Sequence, residues 1–306
     1  MMTANGRITD LEDERGTGRT VGFVTTSENP TITTDDALVV PELARLGWSV
    51  RALPWDASAP EPDVDAVVFR SAWNYHLKPA AFGAWLDALE ARRSPCCNPL
   101  PVVRWNVAKT YLAELASSGC ARARIPRTAW LERGATKSLA EALRAHDFDR
   151  AVVKPVISMS AYETWRTDVA SAPGQEPRFV ELLARGAVML QEYLPEVEAG
   201  GELSFVFFDT RFSHAVLKLP RAGDFRVQND WGGTHHAADP PAALVEQAAD
   251  VLGAVPGPLP YARVDGVVVG DALVLMELEL IDPVLFLGWH PDAPRRFAEA
   301  LHGHLG

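Results

Sequence analysis

Two short motifs near the end of the chain set charge into apolar surroundings: Arg263-Val264-Asp265 and Glu277-Leu278-Glu279. Alternate residues of a strand point to one face, so Arg263 and Asp265 share a face, as do Glu277 and Glu279. Gly270-Asp271 lies between the motifs and reads as a hairpin turn. Pairing the two strands would make Asp265, Glu277 and Glu279 converge, with Arg263 beside them. Hard oxygen donors of this kind suit magnesium, which takes a few carboxylates and completes its shell with phosphate oxygens. The plain alternative is an acidic solvent face. Against it, Val267 to Val269 and Leu273 to Met276 are strongly apolar, and acids embedded in such strands need partners.

Other charges stand at strand ends. Lys154 closes the apolar run Ala151 to Pro155 and precedes the small-residue loop Val156 to Ala161, where Ser158 and Ser160 offer hydroxyl and backbone donors to a phosphate. The loop has no glycine, so it is not a P-loop, and Lys154 taken alone reads as a surface lysine. Lys109, in Trp105-Asn106-Val107-Ala108-Lys109, alone reads as a solvent-facing helix residue. Lys218 ends a strand and Arg226 lies in Phe225 to Gln228; both also read as exposed strand charges. Gln191-Glu192-Tyr193-Leu194-Pro195 is a strand stopped by proline, whose backbone could face an adenine ring. Arg70, Ser71, Trp73 and Asn74 follow a strand at its carboxyl end, where open α/β sheets take ligands. They are expected in a substrate pocket, with a purely structural role as the alternative. His235-His236 reads as loop, and no GxSxG, HExxH or GxGxxG is present.

The elements that must position these residues follow from periodicity. Val21 to Thr25, Trp48 to Leu53 and Asp65 to Arg70 read as strands, Asp35 to Leu46 and Pro79 to Arg92 as helices. Alternating strands and helices imply a parallel sheet with covered faces. After a proline-rich boundary at Ser94 to Pro101, Asn106 is expected to cap a helix to Ser118 that Gly119 stops. Helices are expected at Ser138 to Ala145, Pro240 to Leu252 and Pro294 to His302. Strands are expected at Ala151 to Pro155 and Val188 to Tyr193. Two hairpins, Leu203 to Leu219 and Tyr261 to Leu280, complete the pattern. The fold class is α/β followed by α+β. The expected division is a mobile leader 1–19, an α/β domain 20–100, a central subdomain 101–195 and a C-terminal subdomain 196–306.

The chain has 306 residues, 47% hydrophobic and 23% charged, with formal net charge −11. That length carries two or three packed subdomains, and the acidity argues against a general nucleic-acid binder. A few placed lysines and arginines can still hold a triphosphate. No apolar run approaches the roughly 18 residues of a membrane span. The polar start has no secretory core. Three cysteines, Cys96, Cys97 and Cys120, make no staple framework, so a cytoplasmic setting fits. A homodimer is kept as an expectation that the sequence does not determine.

Taken in order, these pieces resemble the ATP-grasp superfamily, in its glutathione-synthetase-like form, over roughly residues 20 to 290. The resemblance implies an ATP-grasp fold with an N-terminal parallel-sheet domain, and ATP and Mg2+ as cofactors. It implies that Lys109 and Lys154 contact ATP, that Ser158 and Ser160 lie in the phosphate loop, and that Glu192, Tyr193 and Leu194 form the adenine hinge. Glu202 would meet the ribose, Lys218 and Arg263 would neutralise phosphate charge, and Asp265, Glu277 and Glu279 would hold magnesium. Two departures stand out: the phosphate loop is Ser-Met-Ser rather than glycine-rich, and Glu279 replaces the asparagine of many members. Asn98-Pro99, Trp105 to Lys109, Lys154 to Ser158, Phe212 to Lys218, Gly223 to Gln228 and Met276 to Ile281 look like the branch that contains the D-cycloserine-forming O-ureido-D-serine cyclo-ligase.

The implied activity is ATP-dependent ligation with a small amino-acid-type carboxylate as partner. A carboxylate is a poor electrophile, and transfer of the γ-phosphoryl group gives it a leaving group, so the protein's task is positioning and charge neutralisation. Nitrogen then attacks the acyl phosphate, with Arg226 and Arg263 as candidates to stabilise the oxyanion. Ring closure within one substrate and amide formation between two both fit. A nucleotide sensor and a kinase that stops at a phosphorylated product are the competing classes.

Overall fold

The computed structural model describes residues 18–58, 63–117 and 124–306. Most of the expected leader, the helix stop at Gly119 and Cys120 lie outside the described residues. Arg19, counted with the leader, already belongs to the first strand.

The N-terminal sheet contains β1 (Arg19–Thr25), β2 (Trp48–Pro54), β3 (Ala66–Phe69) and the short β4 (Cys96–Cys97), parallel throughout in the order β2-β1-β3-β4. Its inner strand β3 is apolar on both faces because both are covered. Ala66 and Val68 pack toward the C-terminal helix Ala293–Leu305, while Val67 and Phe69 pack against Phe82, Trp85, Leu86 and Leu89 of helix Pro79–Ala91. The central sheet is antiparallel: β5 (Thr128–Leu131), β6 (Arg150–Pro155), β7 (Trp165–Asp168) and β8 (Val188–Glu192), ordered β5-β8-β6-β7. The third sheet, also antiparallel, runs β11-β10-β9-β12-β13, from β9 (Glu202–Phe208), β10 (Arg211–Leu219), β11 (Thr234–Ala238), β12 (Tyr261–Val269) and β13 (Ala272–Glu279).

Several elements depart from the sequence reading. The helix expected from Asn106 to Ser118 is two helices, Leu100–Asn106 and Tyr111–Ser117. Asn106 ends the first rather than capping a second: its buried amide donates to Leu278 O at 2.8 Å and accepts from Leu280 N at 2.9 Å. Lys109 N–H donates to Val156 O at 2.9 Å, so tertiary partners satisfy groups that a continuous helix would have bonded internally. The expected Asp35 to Leu46 helix is a 3-10 turn, Asp36–Val39, followed by Val40–Arg45. Helix Ala172–Arg185 was hidden by Pro173 and Gly174 in its first turn and Pro177 within it; proline is tolerated early, where its missing N–H has no partner to lose.

One segment is held from many sides. Beyond β13, the carbonyls of Leu280 to Leu285 each meet a side-chain donor: Asn98 Nδ2, Tyr261 Oη, Trp73 Nε1, Arg70 Nη2, Arg263 Nη1 and His214 Nε2 in turn. Tyr261 Oη also lies 2.8 Å from Phe69 O and 3.0 Å from Cys97 O, so one buried hydroxyl serves the parallel sheet and the third sheet together.

Two outcomes follow from these contacts. The β12–β13 register shifts by one residue after Asp265, and a Cβ on Gly266 would stand 2.5 Å from Leu273 Cδ1 and 3.0 Å from Val274 O. Gly266→Ala is therefore expected to destabilise the protein by about 1–3 kcal/mol, read as a lower urea midpoint. At the end of β2, Asp56 accepts from Ser27 N, Asn74 Nδ2 and Lys78 Nζ, each at 2.7 Å. Burial raises its pKa, but Lys78, Ser27 and Asn74 outweigh burial and hold the carboxyl down to about 2. A depressed folded-state pKa stabilises above the unfolded value, near 4, and that stabilisation is lost as pH falls toward 2. Asp56→Asn is expected to flatten the acid limb of stability against pH across that window.

Candidate active site

The face of the third sheet that carries Val206, Phe208, Val216 and Tyr261 has an apolar half and a polar half. The apolar half packs against helix Ala293–Leu305 and β1. Farther along the same rows come Ser204, Lys218, Arg263 and Asp265, because alternate residues share a face. In register, Arg263 lies opposite Glu279, Asp265 opposite both Glu277 and Ser204, and Lys218 opposite Glu202.

The buried Asp265 carboxylate accepts from Ser204 Oγ at 2.7 Å, Lys218 Nζ at 2.9 Å and Arg263 Nε and Nη2, both at 2.9 Å. Burial opposes its charge, yet Arg263 and Lys218 outweigh burial and hold it well below the usual carboxylate range. The same pairing works in reverse on Lys218: Asp265 and Glu202 overcome burial and raise its pKa. Lys218 also meets Glu202 at 2.6 Å, and Arg263 pairs with Glu279. Glu279 remains lifted to about 8, because burial, with Glu277 and Asp265 nearby, outweighs Arg263.

Beside this network a cleft opens between the central and third sheets. Its walls include Lys109, Lys154, Ser158, Ser160, Glu192, Tyr193, Leu194, Glu202, Arg226 and Glu277, so ten of the residues singled out from sequence meet at one opening. Lys218, Arg263, Asp265 and Glu279 form the charged floor behind it. Lys109 Nζ bridges Glu277 at 2.7 Å and Ser158 O at 2.6 Å. Lys154 Nζ donates to the neutral amide of Gln191 at 2.7 Å; burial lowers its pKa, and Lys109 adds to that against the pull of Glu277. A cation so placed gains from an incoming anion.

Other residues are committed differently from the sequence reading. The Ser158 hydroxyl, expected to meet phosphate, donates to Pro155 O at 3.0 Å within its own loop. That loop holds Ser160, Ala161 and Glu163 at φ of 48°, 55° and 48°, a left-handed conformation that side chains resist. Trp231 Nε1 donates to Ser160 O at 3.1 Å, and the Arg226 guanidinium stacks 3.4 Å over the Trp231 ring while pairing with Asp224. At the hinge, Glu192 N–H donates to Arg127 O and Tyr193 N–H to Arg150 O, and the Tyr193 hydroxyl bonds Glu198. Of the four residues expected in a substrate pocket, three serve the architecture. Arg70 is buried on Asp36 at 2.8 Å and Pro283 O at 2.7 Å, Ser71 Oγ meets Val24 O, and the Asn74 amide is held between Trp55 and Asp56. Trp73 alone stays exposed. Gln191 was missed as a site residue; a lone amide at an inward position of the apolar run Val188 to Leu190 was the signal available.

Among the described residues no group of three His, Cys, Asp or Glu is gathered as a metal cage, and no helix is long and apolar enough to cross a membrane. Magnesium binds through one or two carboxylates plus phosphate oxygens rather than an all-protein cage. Glu277 and Glu279, two residues apart on one strand face, fit that donor set.

Residues 21–98 match the family model of the D-cycloserine synthetase DcsG N-terminal domain. The chain is 32% identical over 255 residues to the cycloserine biosynthesis protein DcsG of Streptomyces lavendulae, covering 79% of this chain and 83% of that protein. The crystal structure of D-cycloserine synthetase DcsG superposes with TM-score 0.82 at 28% identity, over 94% of this chain and 100% of the other. The ATP-grasp ligase PsnB, solved with a minimal precursor, superposes with TM-score 0.62 at 18% identity over 94% and 99% of the two chains, a likeness of fold. With a charged sheet floor, a lysine-lined cleft and these relatives, the chain belongs to the D-cycloserine synthetase DcsG family and is an ATP-dependent carbon–nitrogen ligase of the ATP-grasp fold.

Proposed function

We propose that this ligase phosphorylates the carboxylate of an amino acid bearing a side-chain nitrogen and closes a ring on it, with O-ureido-D-serine as substrate and D-cycloserine as product. The observation that carries the reading is the set of charges at the cleft, taken with the similarity to DcsG. Four cations, Lys109, Lys154, Lys218 and Arg263, face four carboxylates, Glu202, Asp265, Glu277 and Glu279. They balance formally, so a nucleoside triphosphate brings surplus negative charge. Divalent cations would offset it, which supports Mg2+ as cofactor.

In this reading Lys109 and Lys154 hold phosphate oxygens, and the loop Ser158 to Ala161 offers backbone donors to them. Glu192 to Leu194 border the adenine and Glu202 the ribose. Glu277 and Glu279 hold magnesium, which when bound neutralises phosphate charge. Asp265, expected as a third ligand, chiefly fixes Lys218 and Arg263 in place, since its oxygens already serve three partners. Arg263 and Lys218 then neutralise the acyl phosphate, and Arg226 faces the oxyanion from the opposite wall. The nitrogen bonded to the side-chain oxygen gives up its proton, attacks the acyl carbon and displaces phosphate. The carbamoyl group it carries is then hydrolysed by one water and leaves as carbon dioxide and ammonia, giving D-cycloserine. The loop tied to Trp231 keeps water from the acyl phosphate before ring closure.

ADP release with ATP and magnesium is expected to require O-ureido-D-serine and to fall at least about 10²-fold in Glu277→Gln. Binding of ATP without substrate-dependent release would discard this substrate. An intermolecular amide product would assign the second step to a separate amine. Lys154→Met is expected to weaken ATP binding at least about tenfold while leaving the unliganded melting temperature equal or higher, because it removes a buried charge held by a neutral partner. Titration calorimetry and thermal melts check the two halves.

A further inference from the structure

Asp282 is a buried carboxyl, 7% exposed, that the phosphoryl-transfer machinery does not use. Its Oδ2 is enclosed and has no hydrogen-bond partner among the described residues. The two nearby guanidiniums are committed elsewhere. Arg70 serves Asp36, Pro283 O and Phe69 O; Arg263 serves Asp265, Glu279 and Val284 O. Their fields reach Asp282 without a bond to it. Burial therefore lifts the carboxyl to about 7, with only partial relief from Arg70 and backbone N–H groups. An oxygen in this position is stabilised most by a donor that brings its own positive charge.

The position of the carboxyl is set by its neighbours. Asp282 sits in the segment whose carbonyls are fixed one after another, so it cannot swing out to solvent without breaking that series. Trp73 Nε1 reaches Asp282 O at 3.4 Å, which lays an exposed indole beside it. The buried Tyr75 hydroxyl lies within the fields of Asp282, Glu277 and Glu279 together, so Asp282 lies near the two glutamates of β13. Asp282 follows Glu279 by three residue steps, a reach of at most about 10 Å along extended chain. An aromatic face beside a carboxylate is the chemistry that recognises an ammonium group.

We propose that Asp282, flanked by Trp73, binds the α-ammonium group of the amino-acid substrate and so fixes its carboxylate toward the phosphoryl-transfer centre. This assignment rests on the amino-acid ligase reading above. It gives the chain its selectivity for amino acids over plain carboxylic acids of the same shape.

The test compares O-ureido-D-serine with 3-(ureidooxy)propanoate, which lacks only the amino group, in full-length wild type and Asp282→Asn. Wild type is expected to prefer the amino compound by about 100-fold or more in kcat/KM. Asp282→Asn is expected to lose most of that preference by losing activity on the amino compound alone, with KM for ATP changed less than about twofold. Trp73→Ala, at an exposed position, keeps the question open to measurement if the first variant fails to fold; its preference is expected to fall about fivefold. Equal loss on both compounds, or an unchanged preference in both variants, overturns the assignment. Wild type that accepts both compounds equally overturns it and leaves the ligase reading standing. Wild type that releases ADP with neither compound overturns the substrate reading itself and this assignment with it.

Discussion

The antiparallel register of β12 and β13 is the constraint on which the site depends. It sets Arg263 against Glu279 and Asp265 against Glu277, and β9 and β10 add Ser204 and Lys218 to the same face. A slip of one residue would turn Val264 and Leu278 toward the cleft and drive four charges into the apolar core. The register shift at Gly266 absorbs an extra residue, Met276, just where the charged stretch gives way to the apolar one. Packing of Leu273 and Leu275 thus holds the reaction centre in place although neither residue touches it.

The charged floor is costly in isolation and tolerable as a set. Burying Asp265, Lys218 and Arg263 removes them from water, and each is acceptable because its partners are buried beside it with satisfied hydrogen bonds. Lys154 is the exception, a half-buried ammonium whose hydrogen-bond partner among the described residues is a neutral amide, and it stands on the cleft wall. The imbalance lies where an anionic ligand would relieve it. Two left-handed residues, Ser160 and Ala161, lie in the loop that lines the opening.

Continuity between the N-terminal sheet and the third sheet explains why residues expected to meet substrate serve as structure. Tyr261 is at once a β12 residue, a member of the core beneath helix Ala293–Leu305 and the owner of a hydroxyl whose one proton lies within reach of the Phe69, Cys97 and Ile281 carbonyls. Arg70 runs from β3 to Pro283 O with its guanidinium 5.4 Å from the Tyr261 ring. The carboxyl end of the parallel sheet is therefore fastened to the segment after β13. Arg70, expected to meet substrate, is thereby committed to Asp36 and Pro283 O.

The sequence by itself determined whatever depends on local period and chain order. Period-two alternation placed Arg263 with Asp265 and Glu277 with Glu279, turn residues marked both hairpins of the third sheet, and the helix Pro79–Ala91 shows the apolar face its spacing announced. Ten residues chosen from sequence meet at one cleft because strand ends and loops carry them there. Only the tertiary structure decided which polar groups are committed to the protein itself and which are left facing the cleft. Asn106 reads as a helix cap, but its amide bonds β13; Arg70 reads as a ligand residue, but Asp36, distant in sequence, neutralises it. Asp282 carried no signal at all, since a carboxyl becomes remarkable to its surroundings only when folding encloses one oxygen and supplies no donor. Hydrogen-bond partners far apart in sequence are set by packing, and local periodicity holds no record of them.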